Sequence, residues 1–213
     1  MSYSGPRARM LVSPTPQRST DRLRIGDTMG GDDSYSTTAA RRMRTLRVEH
    51  LTPATRPSSS TRRATQVHAA IPIDLDALDY IEASAHEIVA HTYMAVPTAG
   101  PAPRKPEDVY AWAEHVTAHL PAEKQQIRDA VTLRQSLEHS LHAGDTTPVV
   151  AMVRFESCPT CRCWGLMWSR ADWVVLCANR RCHDTVGLPT RWSLQQIAER
   201  HVARVAALQR QAT

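Results

Sequence analysis

All five cysteines of the chain fall between residues 158 and 182, and this clustering constrains the fold more than any other feature. Cys158-Pro159-Thr160-Cys161 and Cys177-Ala178-Asn179-Arg180-Arg181-Cys182 frame the segment in the pattern C-x2-C-x15-C-x4-C, with Cys163 just beyond the first pair. Each close pair predicts a tight turn that brings two sulfurs to one point, and the span between the pairs has the length of one β-hairpin. Trp164, Leu166 and Trp168 alternate along its first strand, Ser169 to Asp172 make the turn, and Trp173 to Leu176 return. So small a hairpin cannot enclose a core, so a metal held by thiolates would have to close it. In such modules the free energy of metal binding is folding free energy.

The spacing is close to that of a four-thiolate zinc site, which gives Cys158, Cys161, Cys177 and Cys182 as ligands and Zn2+ as the ion. His183 is a substitute for Cys182, and Cys163 for Cys161. An odd cysteine count, close-spaced pairs and an N-terminus without a signal-type apolar run argue against disulfides, and an iron–sulfur cluster is the remaining alternative for such donors. Residues 155–185 resemble the zinc-ribbon superfamily. They depart from it where Arg162 and Cys163 follow the second cysteine in place of the usual Gly, and in the four residues between Cys177 and Cys182 where two are usual. The resemblance implies a structural zinc site and, as in ribbons of transcription and replication proteins, contact with nucleic acid. Arg162, Arg180 and Arg181 are the phosphate contacts this implies, and Trp164 and Trp168 the stacking surfaces. Alternatively, Trp164, Leu166 and Trp168 form the hairpin face covered by a C-terminal helix.

Nothing in the chain predicts catalysis. Four cysteines leave a metal no open position, and no His-x-Glu precedes the cysteine pair as a zinc deaminase needs. His86 and His91 lie five residues apart, about 140° around a helix, which excludes the zinc-protease arrangement. His115 with His119, and His139 with His142, have no third ligand at a fixed spacing and read as solvated or flanking. We therefore expect a non-enzymatic protein.

Charge divides the chain into three parts. Residues 1–70 carry a net +7, residues 71–153 a net −7, and residues 154–213 a net +5. The first seventy residues show no apolar periodicity, which predicts a disordered Arg-rich tail over 1–70. Its run Arg41, Arg42, Arg44 and Arg47 could lie along phosphates, or the basic tail could fold back on the acidic middle.

Residues 71–147 read as a three-helix unit. The first helix is capped by Asp74, the second opens at Pro106 with a stripe of Val109, Trp112, Val116 and Leu120, and the third starts after Pro121 and ends near Gly144. Residues 148–213 read as the ribbon followed by a helix that opens with the capping box Ser193-Leu194-Gln195-Gln196. Its stripe is Leu194, Ile197, Ala198, His201, Val202, Val205 and Leu208.

The expected class is thus mostly α with a small β ribbon. This order of parts is similar to that of uncharacterised zinc-ribbon proteins of actinobacteria and their phages. The longest apolar runs are about six residues against the roughly 20 of a membrane span, so no membrane partner and a cytoplasmic location are expected. DNA or RNA is the first expected partner, through the tail and the ribbon. The alternative is a protein-interaction adaptor in which the ribbon only holds shape.

Overall fold

The computed structural model of the chain describes residues 33–51 and 74–212. Within them, helices α1 (Tyr35–Leu51), α2 (Leu75–Ala95), α3 (Val109–Thr117), α4 (Ala122–His142) and α5 (Thr147–Arg154) precede a three-stranded antiparallel sheet, and α6 (Leu194–Ala212) follows it. The strands β1 (Leu166–Ser169), β2 (Val174–Cys177) and β3 (Arg191–Trp192) lie in that order, with Trp168 opposite Val175 and Val175 opposite Trp192. This is the predicted mostly-α architecture with a small β region. No helix among the described residues is long and apolar enough to cross a membrane.

Local chemistry sets the helix ends. The Asp74 carboxylate accepts the Ala77 N–H at 3.0 Å and starts α2, and a 3-10 turn at Pro106–Asp108 leads into α3. Gly144, at φ 81°, takes the left-handed conformation that ends α4. The capping box before α6 closes in both directions: the Gln196 N–H donates to Ser193 Oγ at 3.2 Å, and the Ser193 N–H donates to Gln196 Oε1 at 2.9 Å.

Helix α1 lies inside the span the sequence assigned to a disordered tail. The remainder of that span, 1–32 and 52–70, lies outside the described residues. Only Ala39, Met43 and Leu46 give α1 a buried apolar stripe, so local periodicity does not reveal it; it is held by packing against α2, α3 and α4. Its charges match its surroundings. Arg47 bonds the buried Glu107 at 2.7 Å, and Arg42 donates to the Ser136 hydroxyl at 2.9 Å and carbonyl at 3.2 Å. Two arginines considered for phosphate contact are therefore engaged within the protein, and α1 does fold back on the acidic middle.

Helix α4 occupies the centre. One side carries Val131 into a core with α1, α2 and α3, and the other places Ala130, Leu133, Leu137 and Leu141 against α5, the sheet and α6. Buried residues thus continue across position 147, from the helical unit into the cysteine-bearing region.

Between these sides α4 buries a polar chain rather than a solvated histidine. His139 is fully buried, with Tyr80 Oη 2.8 Å from Nδ1 and Tyr110 Oη 2.8 Å from Nε2. The Tyr110 hydroxyl also donates to Gln135 Oε1 at 2.8 Å. Having one proton to give, it must accept at His139, so Nε2 carries the imidazole proton and Nδ1 accepts from Tyr80. Burial drives the His139 pKa down to about 3 and keeps the ring neutral. His115 and His119 are exposed, as expected.

Candidate metal centre

The loop between α5 and β1, the last residue of β2 and the first half of the β2 to β3 connection supply the sulfurs. Arg162, at φ 62°, turns the chain sharply after Cys161. The turn is closed by Arg162 N–H to Cys158 O at 2.9 Å and Cys158 N–H to Cys163 O at 2.9 Å. Arginine takes here the conformation that the usual ribbon Gly would adopt without strain.

The wider second pair is accommodated by residues the sequence did not single out. Asn179 makes an Asx turn, its Oδ1 accepting the Arg181 N–H at 3.0 Å and its carbonyl the Cys182 N–H at 2.8 Å. Thr190, just before β3, then fastens both cysteines. Its carbonyl accepts the Cys177 N–H at 3.1 Å, its N–H donates to Cys182 O at 3.2 Å, and its Oγ1 lies 3.2 Å from Cys182 Sγ. Asn179 was readable as a turn former, whereas Thr190 acts through a third strand that no local pattern announced.

The outcome is a sulfur cluster. The Sγ atoms of Cys158, Cys161, Cys177 and Cys182 all lie within 4.8 Å of one another. Two of the separations, Cys158 to Cys182 at 3.8 Å and Cys161 to Cys177 at 3.7 Å, match the roughly 3.8 Å edge of a tetrahedron with metal–sulfur bonds of about 2.3 Å. The donor set and its spacing therefore fit a metal ion. His183 is exposed and outside this group, and Cys163 stands at its edge.

Electrostatics favour a cation in the centre. Hydrogen bonding with the backbone and side chain of Cys163 lowers the Cys161 thiol to about 6. Burial and neighbouring thiols push Cys177 up. The Thr190 hydroxyl pulls the Cys182 thiol down, but burial together with the Cys161 and Cys158 thiols outweighs it and the thiol is raised. So many thiols cannot all ionise side by side, and a divalent ion removes that obstacle by stabilising each thiolate.

A buried ionic cluster fixes α6 beside the first turn. Glu156, 1% exposed and two residues before Cys158, accepts from His201 Nδ1 at 2.8 Å and from the Arg204 guanidinium at 2.7 and 3.1 Å. Arg200 bonds Ser157 at 3.2 Å.

The tryptophans divide between the two sequence readings. Leu166 is buried, and half-buried Trp168 packs on the core with Trp192, so that part of the hairpin face is covered. Trp164 precedes β1 and is 74% exposed, against the expectation of a packed row. Arg162, Arg180 and Arg181 are exposed on the two cysteine turns.

Fold and site together define a class: a helical protein with a four-cysteine, metal-competent β module, compatible with a zinc-ribbon-like arrangement. No protein-family model, curated protein or solved structure matches the chain.

Proposed function

We propose that the protein is a non-enzymatic zinc protein that associates with nucleic acid. Zn2+ held by Cys158, Cys161, Cys177 and Cys182 shapes the surface that makes the contact. The observation that carries the metal part is the mutual approach of the four sulfurs within 4.8 Å. Zinc suits an all-thiolate tetrahedron, and with its four positions filled by protein it has a structural rather than a catalytic role.

The nucleic-acid part is supported by what surrounds that cluster. Trp164 is largely exposed two residues after the exposed Arg162, and Arg180 and Arg181 are exposed on the other cysteine turn. An exposed aromatic ring among arginines is the chemistry by which single strands are held, stacking on bases and neutralising phosphates.

The test is fluorescence anisotropy of a labelled single-stranded oligonucleotide titrated with zinc-loaded protein between 50 and 200 mM salt. Binding should weaken with a log–log slope of about −0.7 per phosphate contact. Replacing Arg162, Arg180 and Arg181 together by Ala should flatten that slope by about 2 to 3, and Trp164→Ala should weaken binding by about five- to a hundredfold. No binding by the zinc-loaded protein, or binding insensitive to salt and to these changes, would overturn the nucleic-acid reading and favour a protein-interaction adaptor.

A further inference from the structure

The fifth thiol stands against the cluster. Cys163 Sγ lies 3.2 Å from Cys161 Sγ and 3.6 Å from Cys177 Sγ. Two independent observations single out Cys161 and Cys163. Their separation is the shortest of the sulfur contacts, the others running from 3.6 to 3.8 Å. They are also the two half-buried cysteines, whereas Cys158, Cys177 and Cys182 are buried. The Cys163 carbonyl is held by the Cys158 N–H, and Arg162, in its left-handed turn, folds the two thiols toward each other.

We propose that Cys163 is a resolving thiol, so that Cys161 and Cys163 form a peroxide-responsive latch that releases the metal. The proposal rests on the thiolate metal site described above. The Cys161 thiolate attacks one oxygen of hydrogen peroxide; the S–O bond forms as the O–O bond breaks, and the departing hydroxide takes a proton from solvent to leave as water. Cys163 gives its proton to solvent and attacks the sulfenic sulfur. The S–S bond forms as the S–O bond breaks, and a second hydroxide leaves as water after protonation. The two sulfurs lose two electrons in total, and one peroxide becomes two waters. The sulfurs must close by about 1.1 Å to reach a bond of about 2.05 Å. The metal is left with the three buried cysteines, and Arg162, between the joined residues, moves with the turn.

The experiment treats zinc-loaded full-length protein with one equivalent of hydrogen peroxide. Released zinc is followed with a chromogenic chelator, and disulfides are mapped after trypsin digestion. Cleavage after Arg154 and Arg162 leaves Cys158 and Cys161 together on one peptide and Cys163 on the next, so the disulfide appears as two cross-linked peptides, and fragmentation of that species places the bond on Cys161 rather than Cys158. The expected result is that cross-link, together with zinc release at least about tenfold faster than from Cys163→Ser, which should hold one zinc before oxidation. Release at the same rate from Cys163→Ser, a disulfide involving any other pair, or loss of zinc from untreated Cys163→Ser would each overturn the proposal. A wild-type protein that holds no zinc before peroxide is added overturns the metal reading itself, so the two failures are distinguishable.

Discussion

At the scale of single residues, the site depends on side chains with unequal duties. Cys182 is buried within the sulfur group, whereas His183 is exposed beside it. Cys182→Ser should therefore abolish stoichiometric zinc, and His183→Ala should leave one zinc per chain; elemental analysis of the two purified variants checks this. Thr190→Val removes the hydroxyl 3.2 Å from Cys182 Sγ and should weaken zinc by about ten- to a hundredfold, read by competition with a calibrated chelator. The four clustered cysteines were legible because their chemistry is tied to spacing. Thr190 was not, because its role exists only once β3 has paired with β2. His139 makes a separate prediction. Its pKa falls from 6.5 to about 3 on folding because burial disfavours the charged ring. The unfolded chain thus binds one more proton between those values. The neutral ring's contribution is complete above pH 6.5 and is lost as pH falls toward 3, by about 4 to 5 kcal/mol in the limit. Denaturant melts of wild type and His139→Gln between pH 7 and 5 should differ in slope by about one proton; parallel slopes would contradict the buried neutral histidine.

At the scale of elements, periodicity located α2 and α6 well, and the reasons are local: an Asp74 cap for one, a capping box for the other. It misread which faces are buried where an element has neighbours on more than one side. In α4 the apolar positions Ile127, Ala130, Val131, Leu137 and Leu141 predict one buried stripe, yet Ile127 is exposed and Thr132, Gln135, Ser136, His139 and Ser140 are buried, since α1 and α2 cover one flank and α6 another. In α3 the buried line is Val109, Tyr110, Ala113 and Thr117, rotated from the stripe through Trp112 and Val116 because Tyr110 turns inward to His139. Helix α1 was missed because its buried stripe is short and its support is tertiary. Leu46, fully buried in that stripe, tests this: Leu46→Ala should destabilise the protein by about 2 to 5 kcal/mol, measured by thermal or urea unfolding, whereas removal from a disordered tail would change nothing.

At the scale of the whole molecule, α4 joins two hydrophobic clusters, one with α1, α2 and α3, the other with α5, the sheet and α6. The second contains Cys158, Cys177 and Cys182 among its buried residues, so the four-cysteine site forms part of that cluster rather than an appendage to it. Removing the ion should loosen residues 158–192 first. Hydrogen exchange after treatment with a strong chelator should show protection lost across β1 to β3 and weakened in α6, with α2 and α3 retaining theirs. The most direct test of the account is native mass spectrometry of the purified chain before and after chelation. One zinc ion per chain, lost on chelation and absent from Cys158→Ser, is the predicted result; a folded wild-type chain that never carries a metal would contradict it.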